Sequence, residues 1–83
     1  MAIRRQLSLF KLGVMFQDNQ YLSIQMITEQ LNISARTAHR YIDLLKREYD
    51  APISNDHMNK VYHLTKYWDI LRELNKKLRS QTA

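Results

Sequence analysis

The 83-residue chain has no cysteine, one glycine, one proline and no long apolar run. Without cysteine it has no disulfide framework, no thiolate metal ligand and no cysteine nucleophile. A single glycine does not build the glycine-rich loop that holds phosphates in nucleotide-binding folds. No apolar segment approaches the roughly 20 residues of a membrane-spanning helix, and no signal peptide is evident. We therefore expect a cytoplasmic protein that does not act on a membrane.

What the chain does have is an excess of positive charge. It carries 13 basic and 8 acidic residues, which gives a net charge of +5. Such a balance favours a polyanion as partner, and nucleic acid is the default, although a solvated basic surface without a partner has the same composition. The apolar fraction of 45% suits one domain with one modest core.

Residues 23–42 have the pattern of two helices joined by a tight turn. Ser23 and Ser34 are each placed to cap the N-terminus of a helix. After the two caps, apolar residues recur at helical spacing: Ile24, Ile27 and Leu31, then Ala38, Ile42 and Leu45. Asn32 tolerates the left-handed conformation that so short a connection needs. The spacing predicts a helix-turn-helix whose second helix covers about 35–49.

A further helix precedes this motif. The sequence predicts it over about 3–17, with Gly13 in its interior. A glycine there costs about 1 kcal/mol relative to alanine, and close packing of another helix would explain it. The sequence then predicts a very short strand of Tyr21 and Leu22 before the Ser23 cap.

A β-hairpin is predicted after the helix-turn-helix. Pro52 stops the preceding helix. The segments 53–56 and 61–64 contain β-branched and aromatic residues and flank a polar turn, which is typical of a hairpin. Asn59 is expected to supply the positive φ of the turn.

The last helix is predicted over about 66–80, with Thr65 as its cap. Its apolar residues form a seam of Tyr67, Trp68, Leu71, Leu74 and Leu78. In so small a domain, a single helix cannot bury these apolar side chains by itself, so the seam must pack against another helix. Either the helix packs against the first helix of its own subunit, or it pairs with the same helix of a second copy. We expect the second arrangement, a homodimer.

The order of elements is that of a winged helix-turn-helix with a C-terminal helical extension, mainly α with a small β-hairpin. Residues 22–64 resemble the N-terminal DNA-binding domain of WYL-type and DeoR-like transcriptional regulators. Those domains carry the pattern S-x-R-T-x-x-R-D-I-x-x-L in the recognition helix, which is matched here by Ser34, Arg36, Thr37, Arg40, Ile42 and Leu45. Their wing has an apolar-Pro-Ile entry and a G-Y-x-L exit, which are matched by 51–53 and 61–64. Tyr41 and Val61 depart from the pattern, where the family has Asp and Gly.

The resemblance implies that Arg36 and Arg40 face DNA, where bidentate contacts of arginine to guanine are the commonest specific pairing. The alternative is a solvated helix face on which one of them pairs with Asp43. Lys60, at the predicted wing tip, suits a phosphate or the minor groove. Thr37 either contacts a phosphate or packs. The complete set of candidate DNA-binding residues is Ser34, Ala35, Arg36, Thr37, His39, Arg40, Asn59 and Lys60.

The three histidines lack metal-ligand spacing, and no spacing indicates a Ser/His/Asp arrangement, so we expect no metal, no cofactor and no enzymatic activity. Residues 1–65 are predicted to form the DNA-binding domain and residues 66–83 the dimerisation element. The expected function is a sequence-specific regulator of transcription that binds double-stranded DNA, most simply a dimeric repressor without a small-molecule effector, associated with the nucleoid when bound. Two alternatives stay open. One is an architectural or recombination accessory factor, or a replication initiator, of a mobile element. The other is a protein–protein interaction module that binds no DNA.

Overall fold

A computed structural model describes the backbone of residues 2–82 and the side chains of residues 7–79. Its elements, in chain order, are α1 (Ala2–Asp18), β1 (Leu22–Ser23), α2 (Ile24–Leu31), α3 (Ala35–Glu48), β2 (Ile53–Asp56), β3 (Val61–Leu64) and α4 (Ile70–Thr82). This order confirms the predicted winged helix-turn-helix with a C-terminal helix.

Both predicted caps of the helix-turn-helix are present. The hydroxyls of Ser23 and Ser34 each accept a hydrogen bond of 3.1 Å from the backbone N–H three residues further along. Between the two helices, Asn32 has a φ of 54°, and the N–H that follows it donates to the carbonyl of Thr28 at 3.2 Å. The turn is therefore fixed by local hydrogen bonds, as its sequence predicts.

The strands form one antiparallel sheet in the order β1-β3-β2. Within the hairpin, Ile53 lies opposite Leu64, and on the other side of β3, Leu22 of β1 lies opposite Tyr62. Because β1 leads directly into α2, this pairing holds the wing against the start of the helix-turn-helix.

The hairpin turn is organised by Asp56. Its carboxylate accepts hydrogen bonds from the N–H groups of Met58 and Asn59, at 3.1 and 3.3 Å, and from the side-chain amide of Asn59 at 2.8 Å. These bonds, the Asn59 amide first, hold the pKa of Asp56 below its ordinary value. The residue with positive φ is Lys60, at 57°, so the prediction of Asn59 for this role was wrong by one position. Asn59 instead serves the turn through its side chain.

The core lies between α1, the helix-turn-helix and the sheet. Its buried apolar residues are Leu9, Leu12, Phe16, Leu22, Ile27, Ala38, Ile42, Leu44, Leu45, Ala51, Ile53, Trp68 and Ile70. Gly13 lies where α4 meets α1, since a Cβ atom on it would be 2.9 Å from both Cβ and Cγ1 of Ile70. This contact confirms the prediction that another helix packs closely at Gly13.

α4 begins four residues later than predicted. The hydroxyl of Thr65 does not cap a helix but donates to the carbonyl of Pro52 at 3.1 Å, and residues 66–69 are not helical. The first two N–H groups of α4 donate at 3.0 Å to Gln17 of α1 and to the carboxylate of Asp69. The cap of α4 thus comes partly from a residue distant in sequence.

The delayed start of α4 places Trp68 in the core. Its ring is 6% exposed, and its indole N–H donates to the carbonyl of Tyr49 at 2.9 Å. Trp68 is therefore a residue of the subunit interior, which corrects its assignment to a dimerisation seam. Tyr67 is 79% exposed and precedes the helix. The predicted seam residues on α4 itself are Leu71 and Leu78, 55% and 51% exposed, and the half-buried Leu74.

Candidate nucleic-acid interface

Arg36 and Arg40 extend from the outer side of α3, one helical turn apart. Both are exposed, and the opposite side of the helix is buried in the core. Asp43, the alternative partner considered for them, pairs instead with Arg47 at 2.9 Å. Among the residues whose side chains are described, neither Arg36 nor Arg40 has an ion pair or a side-chain hydrogen bond. Both guanidinium groups are therefore available to an anion or a base.

The N-terminus of α3 brings the three other candidates of its first turn to the surface. Ser34 caps the helix, and its hydroxyl also donates to the hydroxyl of Thr37 at 3.0 Å. Thr37 is half-buried, and Ala35 is exposed. Because the Thr37 hydroxyl accepts in this bond, its own O–H can still donate, and both roles predicted for Thr37, a phosphate contact or packing, stay open.

His39 occupies the side of α3 that borders the wing. Its Nδ1 lies 3.2 Å from the hydroxyl oxygen of Tyr62, and the two rings meet edge to face with centroids 6.2 Å apart. Sequence reasoning had not placed Tyr62 at the site. The available signal was the tyrosine of the wing-exit pattern, but its contact with α3 depends on the register of β3 with β1.

An open groove runs between the start of α2, His39 and the wing. It is lined by Ser23, Ile24, Gln25, His39, Asn55, His57, Lys60 and Tyr62. Gln25 and Asn55 were also missed, because they are distant in sequence and only the sheet brings them together. We call this groove, together with Arg36 and Arg40, the helix–wing surface.

The charges of the helix–wing surface are predominantly positive. Lys60 is exposed at the wing tip, next to a turn in which the carboxylate of Asp56 already accepts three hydrogen bonds. Asn59 is exposed there too, but one of its amide hydrogens is engaged by that carboxylate. The Lys60 ammonium group is thus the cation of the wing that can contact a binding partner.

No group of three potential metal ligands lies together in the described part of the chain. Of the helices described, none has the length and apolar character needed to cross a bilayer.

A family model described as an HTH domain matches residues 5–56, from α1 to the end of β2. The chain belongs to the helix-turn-helix domain family. Membership makes it, in general terms, a DNA-binding regulator. No curated protein and no solved structure matches the chain. The resemblance to WYL-type and DeoR-like regulators, which is finer than this family, stays a prediction. The helix-turn-helix match includes all of α3 but ends before Lys60, Tyr62 and α4.

Proposed function

We propose that this protein binds double-stranded DNA sequence-specifically as a regulator of transcription, with the N-terminal half of α3 in the major groove. The observation that carries the proposal is the pair of exposed, unpaired guanidinium groups of Arg36 and Arg40 on one side of α3. The major groove admits an α-helix, and a guanidinium makes bidentate hydrogen bonds to guanine O6 and N7. In this arrangement the two arginines select bases.

The wing has a different role in the proposal. Lys60 is a single exposed cation on a turn whose N–H groups donate to the carboxylate of Asp56. Contacts to phosphate oxygens position a protein on the duplex and carry no sequence information directly. We assign Lys60 to such a contact, so the wing supports the register of α3.

We further propose that two copies pair through α4 and act as a repressor on a pseudo-palindromic site, in the cytoplasm at the nucleoid. Leu71 and Leu78 lie on the same side of α4 and are each about half exposed, which supports an apolar contact between copies. Helix-turn-helix dimers bind half-sites about 34 Å apart, one turn of DNA. Occupation of such a site within a promoter would block transcription.

Selection of bound duplexes from a random DNA pool tests the proposal. We expect one consensus that contains two inverted half-sites. Retention of DNA without enrichment of any sequence would indicate an architectural factor. A pool that is not retained at all, even at low salt, would indicate a protein–protein module. Either of these two results contradicts sequence-specific regulation.

A further inference from the structure

The hydrogen bond between His39 and Tyr62 joins α3 directly to the wing. It connects residues that are 23 positions apart in the chain and spans 3.2 Å. The edge-to-face contact of the two rings accompanies it. The bond therefore lies within the helix–wing surface, at the point where the proposed recognition helix and the wing meet.

We propose that Tyr62 is a positioning residue for His39. The phenol O–H donates to Nδ1, so the neutral imidazole carries its proton on Nε2 and presents this N–H to a hydrogen-bond acceptor on a base edge. The inference rests on the proposed DNA-binding function and assigns a specificity-determining role to a residue of the wing that does not itself contact a base.

Either group can donate in this bond, depending on the tautomer of His39, and the proposal assigns the donor role to the phenol. The unprotonated nitrogen of a neutral imidazole accepts hydrogen bonds, whereas the other nitrogen donates, and the bond made by one nitrogen selects the tautomer. A phenol O–H donates well to such a nitrogen. Once Nδ1 is used in this way, Nε2–H remains, and no described residue makes a hydrogen bond to it.

The position of His39 on α3 points to a base rather than a phosphate. On a helix that turns by about 100° per residue, His39 lies about 60° around the axis from Arg36 and about 100° from Arg40. Its exposed ring therefore flanks the side that we place in the major groove. Every base pair presents acceptors there, such as N7 and O6 of guanine or O4 of thymine. A neutral donor contributes selectivity at one base pair without the charge that the arginines already supply.

Replacement of Tyr62 by phenylalanine tests the positioning role, since it deletes the hydroxyl and keeps the ring that packs on His39. Tyr21→Phe is a matched control. Its ring also lies beside a histidine, His63, with centroids 5.6 Å apart, but its hydroxyl makes no hydrogen bond within the described part of the chain. Loss of one oriented hydrogen bond predicts about three- to tenfold weaker binding of the selected duplex by Tyr62→Phe, and no change for the control. Equal affinities of Tyr62→Phe and wild type would overturn the proposal.

A double-mutant cycle separates positioning from a direct contact of Tyr62 with DNA. If Tyr62 acts through His39, the Tyr62→Phe effect disappears in a His39→Ala background. An undiminished effect there would overturn the proposal. Selection with Tyr62→Phe should relax the preference at one base pair per half-site. Weaker binding of all sequences to the same extent would place the acceptor on a phosphate and contradict the assignment to a base edge.

The tautomer can be measured without DNA. At mildly alkaline pH, where imidazoles are generally neutral, nitrogen chemical shifts of the ring distinguish the two tautomers. We expect the Nε2–H form for His39 in the wild type and a mixture in Tyr62→Phe. A predominant Nδ1–H form in the wild type would overturn the role of Tyr62. Because this measurement uses the free protein, it stays decisive even if the proposed DNA-binding function fails.

Discussion

The helix–wing surface and the exposed side of α4 use their charged groups in different ways. On the helix–wing surface, Arg36 and Arg40 are unpaired within the described residues. On α4, Lys76 lies 3.3 Å from Glu73, and Lys77 lies 3.8 Å from a carboxylate of α3 and 5.0 Å from the centroid of the Tyr49 ring. Lys76 thus pairs within α4, and Lys77 connects α4 to the end of α3. Neither positive charge nor the absence of an internal partner is sufficient to locate the proposed DNA-binding surface, since Arg72 of α4 is also exposed and unpaired within the described residues. What distinguishes Arg36 and Arg40 is their position on the second helix of the helix-turn-helix.

The two regions also differ in their relation to the core. Arg36 and Arg40 can be changed without disturbing packing, because their side chains lie in solvent. α4, in contrast, contains apolar residues of the core as well as exposed ones, since Ile70 is 2% exposed and its neighbour Leu71 is 55% exposed. Substitutions in α4 should therefore separate into those that destabilise the subunit and those that act only on association.

The largest effect is expected for Leu71→Asp, which tests whether the exposed side of α4 pairs with a second copy. Complete burial of a leucine contributes about 1.5–3 kcal/mol, and dimerisation would bury the exposed half of Leu71 in each of two copies, so its loss should weaken dimerisation by about 1.5–3 kcal/mol. Desolvation of two unpaired carboxylates adds to this loss. The subunit should stay folded, because Leu71 is already half exposed. Light scattering at micromolar concentration measures the change, with Arg72→Asp as the control at an exposed polar position of α4. A wild type that is already monomeric contradicts the dimer, and an unfolded Leu71→Asp variant would show that Leu71 supports its own subunit.

The next largest effect concerns the arginines of the helix–wing surface. Arg36→Ala and Arg40→Ala should each weaken binding to the selected duplex by about 1–3 kcal/mol and relax the base preference, while thermal unfolding stays unchanged. Arg72→Ala removes an exposed arginine of α4 and should leave binding unaffected. Fluorescence anisotropy measures all three affinities. If the three substitutions weaken binding equally, net charge rather than the helix–wing surface determines the interaction.

A smaller effect, on the free energy of unfolding, is expected at the contact between α4 and α1. Gly13→Ala would place a methyl group 2.9 Å from Ile70 Cβ, next to the backbone of α4, so the helix must shift. Overpacking of this kind costs about 1–3 kcal/mol, which exceeds or matches the gain of about 1 kcal/mol in helix propensity. We expect a net loss of about 1 kcal/mol in the free energy of unfolding. Lys11→Ala, at an exposed site of α1, controls for helix propensity. A Gly13→Ala variant that is more stable than wild type would contradict the close contact.

Substitution of the wing lysine, Lys60, should weaken DNA binding to the same extent for every sequence. Lys60→Ala is expected to weaken binding to all duplexes alike and to lower the slope of log K against log salt by about one unit, because one phosphate contact is lost. Titrations of two duplexes of different sequence at several salt concentrations measure this. A change in the preferred base would instead show that the wing contributes to sequence selection.

The smallest effect is a pH dependence of the wing turn. Hydrogen bonds, chiefly from the Asn59 side chain, lower the pKa of Asp56 in the folded protein. Ionised Asp56 therefore stabilises the turn at a pH above its unfolded pKa of about 3.9, and this contribution is lost as the pH falls through the lower, folded value. Amide NMR shifts of Met58 and Asn59 should change in that acidic range and no longer do so in Asp56→Asn. Identical titrations of the two proteins would contradict the role of the carboxylate.

The sequence predicted the parts of the fold that are determined locally. The caps at Ser23 and Ser34 and the left-handed Asn32 depend on atoms a few residues away, so their residue types are sufficient evidence. The start of α4 could not be predicted in this way. Its first N–H group donates to the side chain of Gln17 in α1, and Trp68, in the non-helical segment before α4, is buried in a core assembled from other elements. The capping propensity of Thr65 is a local property, so it predicts neither of these long-range contacts.

The same distinction holds for the candidate site. Arg36 and Arg40 follow from helical spacing, and their exposure agrees with it. The contact of His39 with Tyr62 and the inclusion of Asn55 in the groove depend on strand register, which one residue of slippage would change. Two of the residues missed at the site, Asn55 and Tyr62, are therefore contributed by the sheet, and the third, Gln25, lies on α2 directly after β1.

The central claim, that the helix–wing surface binds a specific DNA sequence, is tested most directly by titrating the wild-type protein with the selected duplex and with a scrambled duplex of equal length and base composition. Anisotropy at several salt concentrations gives both affinities. We predict that the selected duplex binds at least about a thousandfold more tightly, and that log K for both duplexes falls linearly with log salt. Equal affinity for the two duplexes, or no binding at low salt, would contradict it.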